Sequence, residues 1–594
     1  MKVKQMTYTE KLTAIRSMME EAHIDAYIIP SSDPHISEYL PDRYKCIAWA
    51  SGFTGSAGTL AITQSFAGLW TDSRYFVQAR EQLAGSGYEL VKLNVQHAAE
   101  YADWLAANLP TGATVAFDGW LMPASSAAAV QKPLLVAGVA LLEDVDLLAP
   151  LWQDRPSLPE NPAYLLDESI TGESTASKLA RLRADMRKRH ADAHFISSLD
   201  DIAWLLNMRG SDVVCNPVAL AFVLVTPDHA TLFIDPAKLS RQDHVSLRAS
   251  GVETVDYTQV DARLAKLRGK TFLLDPRRTC SRIYNTLLPE VQEDINPATH
   301  FKAVKNDVEV SHVRETMVKD GVALTRFFKW LEETIGKEPI TEISLAERLR
   351  QFRAEQDGFV GESFDTIAGY RAHGALPHYK ATEASNSELK PEGLLLVDSG
   401  GQYRTGTTDI TRVVSLGHTT AEERTDYTLV LKGMIEGSMT VFPRGTRGYQ
   451  IDAVTRKPLW DELRNYGHGT GHGVGFFLNV HEGPHVLNGA AVDVAIEAGM
   501  ITSVEPGLYR ENAYGIRIEN LVLSVDHADS PFGSFLAFET LTLCYIDTQL
   551  VDPSLLDNKH IVWLNNYHAR LYDLLASHLE EQEQQWLLKK TMAI

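Results

Sequence analysis

The sequence predicts an α/β and α+β multidomain chain. Two related amino-terminal domains span residues 1–155 and 163–300, and a larger, different domain spans 301–594. Three observations predict this. A helix-then-strand pattern recurs at a constant offset of 167 residues, a proline-rich stretch separates the copies, and from about residue 300 the texture changes to long helices followed by strand-and-glycine sequence.

The repeat aligns residues 12–33 with 179–200 without a gap. The identical pairs are Leu12/Leu179, Arg16/Arg183, Met19/Met186, His23/His190, Asp25/Asp192, Ala26/Ala193, Ile29/Ile196, Ser31/Ser198 and Asp33/Asp200. Nine identities in one register favour duplication over a chance likeness of two amphipathic helices. Leu12, Ile15, Met19 and Ala22 fall at helical spacing, and a short apolar strand begins at Ala26. The second copy reads the same way through Leu179, Leu182 and Met186 into Phe195 and Ile196. Pro150, Pro156, Pro159 and Pro162 predict an exposed linker. Strand-like runs follow at 218–225 and 271–274, and the second copy ends near Pro297. Helices are then predicted over 308–334 and 345–355.

Apolar residues make up 44% and charged residues 22% of 594, so disorder through most of the chain is excluded. The formal charge of −21 argues against binding nucleic acid or an anionic membrane through the overall field. It fits a solvated surface first and a cationic substrate second. Cys46, Cys215, Cys280 and Cys544 lie far apart, which disfavours a disulfide framework or a structural zinc site. The first residues lack an apolar core behind their lysines, and the run 133–142 is too short to span a bilayer. The expectation is a cytoplasmic protein without membrane contact.

The third domain carries the chemistry. Asp398 ends an apolar run into a glycine turn, and Asp409 opens the returning strand 11 residues later. A carboxylate at the end of a buried strand is costly unless its charge is satisfied. Two of them suggest a shared cation, although an ordinary turn Asp and strand-end Asp would look the same. His468, His472 and His481 then fall within fourteen positions, amid glycines that let backbone approach a ligand. No Gly-Lys-Ser/Thr follows, so this is not a phosphate loop. The helical zinc-site pattern is missing too. Glu505 ends another apolar strand. In the run 514–520, Arg517 and Glu519 share one strand face while Ile516 and Ile518 share the other.

Asp398, Asp409, His472, Glu505 and Glu519 make four carboxylates and one imidazole without a thiolate. Such a set suits manganese, cobalt or zinc. Four negative charges balance two divalent ions, and an ion pair of this kind activates a water for hydrolysis near neutral pH.

These motifs resemble the aminopeptidase P family, the Xaa-Pro aminopeptidases of the pita-bread metallopeptidase fold, in its long, three-domain cytosolic form. The resemblance covers nearly the whole chain. It rests on Ser51-Gly-Phe-Thr-Gly-Ser-Ala-Gly58, Leu199-Asp-Asp-Ile-Ala-Trp204, Val397-Asp-Ser-Gly400, Gly406-Thr-Thr-Asp-Ile-Thr-Arg412, the run 468–484 and Trp563-Leu-Asn-Asn-Tyr-His568. It implies two related creatinase-type amino-terminal domains followed by a pita-bread catalytic domain. It implies that Asp409 and Glu519 bridge two metal ions, Asp398 holding one and His472 with Glu505 the other. His378 and His481 match substrate-handling histidines, and His468 a third histidine beside the site. Arg517 matches an arginine supporting the bridging Glu. Manganese is the metal implied, with zinc or cobalt as alternatives. The implied partners are peptides with proline second and another copy of the chain in a homodimer. A bridging water would attack the bond before proline, with Glu505 as proton shuttle. Pro377, before His378, departs from the aliphatic residue usual there.

The nearest rival is a prolidase cutting Xaa-Pro dipeptides with the same five ligands. The two upstream domains and the run 476–480 favour the aminopeptidase. Methionine aminopeptidase normally lacks the duplicated half. A non-catalytic pita-bread binding protein, or a metal-free creatinase-like enzyme, would not keep all five ligands.

Overall fold

The structure, a computed structural model, describes residues 6–95, 98–267 and 269–594. It forms two compact units, Met1–Asp167 with Glu173–Ala298, and Glu168–Gly172 with Thr299–Ile594.

The first unit holds the duplication as two six-stranded sheets of one topology. The first runs Glu89–Lys92, Ala67–Thr71, Thr59–Thr63, Ala26–Pro30, Thr114–Phe117, Ala140–Glu143. The second runs Val252–Val255, Ala230–Phe233, Phe222–Val225, Ala193–Ile196, Phe272–Leu274, Val291–Glu293. In both, the repeated strand is antiparallel to one neighbour and parallel to the other. Helix Tyr8–Glu21 starts at a capping box between Thr7 and Glu10. Its Leu12, Ile15 and Met19 pack with Tyr27 and Ile29, whereas Ala26 and Ile28 turn to the other face and pack with Leu105, Val130 and Leu134. The two-residue strand period thus feeds two cores and makes a layered domain.

Identical residues of the two copies do identical work. Arg16 Nε donates to the Thr63 carbonyl at 2.9 Å and Arg183 Nε to that of Thr226 at 3.0 Å. Asp25 accepts from the Thr114 amide at 2.7 Å and Asp192 from that of Thr271 at 2.9 Å. His23 and His190 both turn the chain at a φ of 55°. Lys11/Lys178 is a further identity at the same offset. Lys11 Nζ donates to the Trp49 carbonyl at 2.8 Å, and Lys178 Nζ to that of Trp204 at 2.9 Å. Each ammonium also lies over its tryptophan ring. The proline-rich stretch lacks regular structure, yet Trp152 within it is buried and stacks on Trp49 at 5.3 Å.

In the second unit, Asn306 caps the 28-residue helix Asp307–Thr334. A second helix spans Glu342–Ala354 and starts earlier than its apolar spacing indicates, because Thr341 and Ser344 form a capping box. One antiparallel sheet joins Ile367–Tyr370, Leu394–Ser399 and Ile410–Ser415. Another runs Phe442–Pro443, Gly533–Thr540, Asn520–Ser530, Ile501–Val504, Gly471–Gly473, Glu482–Leu487. Strands Gly507–Arg510 and Tyr514–Arg517 form a hairpin. Helices Ala421–Ser438 and Gly448–Trp460 share a core with the sheets through Met434, Ile451, Leu459, Val504 and Leu521. Two glycines let neighbouring backbone segments close up. A Cβ on Gly400 would lie 2.0 Å from the Thr408 carbonyl oxygen, and one on Gly471 1.8 Å from that of Ser503. No helix among the described residues is long and apolar enough to cross a membrane.

Candidate metal centre

Asp398 lies within the strand Leu394–Ser399, opposite Thr411 on the neighbouring strand. Asp409 immediately precedes Ile410–Ser415. His472 is on Gly471–Gly473, Glu505 follows Ile501–Val504, and Glu519 sits between Tyr514–Arg517 and Asn520–Ser530. Residues spread over 122 positions of sequence are thereby brought together. One donor atom each from Asp409, His472 and Glu519 lies within 4.8 Å of the others. Nε2 of His472 is 3.4 Å from Asp409 Oδ2 and 3.3 Å from Glu505 Oε1. Its Nδ1 lies 2.9 Å from the Gly473 carbonyl oxygen, a bond that fixes the ring with Nε2 turned to the carboxylates.

Asp398 joins the group through Arg517, whose Nη2 donates to Oδ2 at 2.5 Å. Arg517 Nε is 3.3 Å from Thr411 Oγ1, which in turn donates to Glu519 Oε2 at 2.8 Å. The arginine therefore binds Asp398 directly and reaches Glu519 only through Thr411. Its Nη2 also donates to the Pro377 carbonyl at 3.3 Å, which ties the residue before His378 to the same guanidinium. His468 is pushed down to about 4 by burial and stays neutral, with the Glu505 charge opposing. Its Nδ1 donates to the Gly469 carbonyl at 2.7 Å, so its Nε2 accepts from the Tyr509 hydroxyl at 2.7 Å. That hydroxyl accepts from Arg517 Nη1 at 2.7 Å. The His481 ring meets that of His472 edge-on, with centroids 4.4 Å apart.

The donor set fits divalent ions. Asp398 Oδ1 and Glu519 Oε1 are buried oxygens with no hydrogen-bond partner among the described residues, a costly arrangement for anions unless a cation completes it. Burial, with the charges of Asp409 and Glu505 adding to it and Arg517 opposing, pushes Asp398 up to about 6. Burial and the neighbouring carboxylates hold Glu519 well above the usual range. Burial acts against the His472 imidazolium, but Asp409 and Glu505 outweigh it and hold it up.

Sequence reasoning did not find Thr411, Ser503 or Tyr509. Ser503 Oγ accepts from the His472 amide at 3.0 Å and donates to Glu505 Oε1 at 3.1 Å. Thr411 and Ser503 each stand two residues from a candidate ligand, and the strand period was the available signal. Nothing local marks Tyr509.

Residues 311–526 match the family model for metallopeptidase family M24, and 534–594 that for the C-terminal region of peptidase M24. Residues 11–151 and 154–309 each match a creatinase/prolidase N-terminal domain. Aminopeptidase P2 of Arabidopsis thaliana is 39% identical over 626 residues, covering 98% of this chain and 88% of that protein. A probable Xaa-Pro aminopeptidase P of Laccaria bicolor is 40% identical over 605 residues, covering 98% and 93%. The crystal structure of an X-prolyl aminopeptidase from Caenorhabditis elegans, described as a cytosolic enzyme with a di-nuclear active site, superposes with a TM-score of 0.95 at 35% identity, covering 99% of this chain and 100% of that one. The chain belongs to the Xaa-Pro aminopeptidase family of M24 metallopeptidases. It is a hydrolase built from creatinase-type amino-terminal domains and a pita-bread catalytic domain.

Proposed function

We propose that this chain releases the amino-terminal residue from peptides with proline in second position, using two divalent ions held by Asp398, Asp409, His472, Glu505 and Glu519. One observation carries the reading. Asp409, His472 and Glu519 offer donor atoms within 4.8 Å of one another, Glu505 lies 3.3 Å from His472, and Asp398 and Glu519 carry buried oxygens without a partner among the described residues, in a chain that matches Xaa-Pro aminopeptidases along its length. Bound there, two such ions supply Lewis acidity and a water made nucleophilic near neutral pH. Manganese suits the oxygen-rich set with a single imidazole.

The residues divide the remaining work. His481 and His378 donate to the oxygen of the bond that breaks, where negative charge develops. Glu505 carries a proton to the departing proline nitrogen. Arg517 orients Asp398, and the chain from Arg517 through Tyr509 to His468 holds that guanidinium in place. The free amino terminus of the substrate sits beside the metal-binding carboxylates. Proline is selected by shape, because its peptide nitrogen bears no hydrogen. We place the domain boundaries near 155–163 and 300, the protein in the cytoplasm, and the active form as a homodimer.

The test is metal analysis with cleavage of Arg-Pro-Pro and Arg-Pro by the manganese-loaded protein. Two ions per chain and release of arginine from the tripeptide are expected. Cleavage of the dipeptide alone would make it a prolidase. A light-scattering mass near 65.9 kDa, the mass of one chain, would reject the dimer.

A further inference from the structure

Two features of the stretches that carry the family resemblance have no part in the chemistry above: Arg412, the last residue of the run 406–412, and the run Trp563-Leu-Asn-Asn-Tyr-His568. They meet at the guanidinium of Arg412. This side chain is 2% exposed and makes no ion pair among the described residues. Its bonds all run to neutral oxygens. Nε donates to the Tyr545 carbonyl at 2.9 Å. Nη1 donates to the carbonyls of Thr411 at 3.0 Å and Glu519 at 2.5 Å. Nη2 donates to Asn520 Oδ1 at 2.8 Å, the Cys544 carbonyl at 2.9 Å and the Tyr567 hydroxyl at 3.0 Å. A buried cation without a counter-ion is expensive, and only dense hydrogen bonding offsets it. A planar fork of five donors is the side chain that can span so many oxygens at once.

What the fork holds matters more than its cost. Glu519 is fixed at three points by the adjacent residues Thr411 and Arg412. Its amide donates to the Thr411 carbonyl at 3.1 Å, its carbonyl accepts from Arg412, and its Oε2 accepts from the Thr411 hydroxyl at 2.8 Å. Among the described residues, Oε1 has no partner. The other side of the fork holds the segment after strand Gly533–Thr540 and the helix Asn558–Leu575. Tyr567, from that helix, accepts from the Cys544 amide at 3.2 Å and donates to the Cys544 carbonyl at 2.7 Å. His568 Nε2 accepts from the Ile546 amide at 3.1 Å.

We propose that Arg412 is a positioning residue that couples the carboxy-terminal segment to Glu519, so that this segment helps to build the metal centre. The proposal rests on reading Glu519 as a metal ligand. A ligand whose backbone and one oxygen are already fixed loses little freedom on binding, and residues that orient ligands typically contribute about ten- to a hundredfold in metal affinity.

The test is manganese affinity of the full chain by chelator competition, with melting temperature and kcat against KM beside it. Tyr567→Phe removes one hydroxyl at nearly constant shape and should weaken manganese binding about tenfold. Arg412→Lys keeps the charge but cannot span both sides of the fork, and should weaken it about a hundredfold. Both should lower kcat more than they raise KM. If affinity is unchanged in folded variants while only the melting temperature falls, Arg412 is a packing element and the proposal is wrong. If Arg412→Lys does not fold, Tyr567→Phe decides alone. Glu519→Gln separates the premise. Wild-type affinity there overturns both the ligand reading and the proposal, whereas lost affinity there with normal affinity in the other two overturns the proposal only.

Discussion

The imidazole of His481 stands edge-on to that of His472, with ring planes at 74° and centroids 4.4 Å apart. One ring belongs to the proposed ligand set and the other lies outside it. His481→Ala should therefore keep its metal and lose turnover. Loss of one donor to a developing oxyanion typically costs about a hundred- to a thousandfold in rate. Measuring kcat, metal content and melting temperature together checks this. Near-normal activity, or loss of activity only through loss of metal, would reject the assignment.

Asp409→Ala should empty the site. Its carboxylate lies within reach of both His472 and the Glu519 oxygens, and its loss leaves the remaining ligands too few to hold a pair of ions. Elemental analysis should fall from two ions per chain toward none, with the fold retained by circular dichroism. Full activity with a single ion in the wild type would count against the dinuclear reading.

Lys305 should matter for stability through Glu482. The Glu482 carboxylate is buried, paired with Lys305 Nζ and 3.2 Å from Lys302 Nζ. Lys305→Met leaves Glu482 paired with Lys302, whereas Glu482→Gln strands two buried ammoniums and should cost more, about 3 kcal/mol or more. Adding Lys305→Met to Glu482→Gln should return part of that loss, since one of the two stranded ammoniums is gone. Denaturant midpoints of the two single variants and the double test it, and strict additivity would refute the coupling.

Asp33 sets a pH dependence in the first unit. Burial pushes its carboxyl up to about 6, with the amides of Ser37 and His35 opposing. A raised acid contributes stability that is present below its unfolded value near 3.8 and lost as pH rises through 6. Asp33→Asn should thus melt higher than wild type at pH 7.5, by about 1–2 kcal/mol after the cost of an unbonded amide, and the gain should shrink toward pH 4. A gain independent of pH would refute it.

The candidate ligands stood out in the sequence because most sit at the border of an apolar strand and a glycine turn, where a carboxylate or imidazole needs a reason. The duplicated helix and strand were legible because they share a period and a register. The bonds that orient the ligands were less so. Thr411 and Ser503 sit on the right strand face, but a hydroxyl beside a ligand has many ordinary uses. Tyr509 reaches His468 from 41 residues away, and Arg412 reaches Tyr567 across 155, and pairing at such range leaves no local pattern. The strand expected over 218–225 is confined to Phe222–Val225, because Val218 to Ala221 are buried without joining a sheet.

The shared topology of the two sheets carries a hazard during synthesis. The strands Ala26–Pro30 and Ala193–Ile196 are flanked alike, each by an antiparallel and a parallel neighbour. A chain emerging from the ribosome presents the first copy complete while the second is still arriving, and either central strand can compete for the other's slot. Exchange of like elements is a characteristic misfolding route of tandem repeats. The guard lies in the side chains that differ. Tyr27 and Ile28 of the first strand correspond to His194 and Phe195 of the second, and His194 is held by the Leu273 carbonyl at 2.8 Å and by Asn296 at 2.8 Å. A tyrosine strand seated there would strand both partners, so divergence at these few positions keeps each copy loyal to its own sheet.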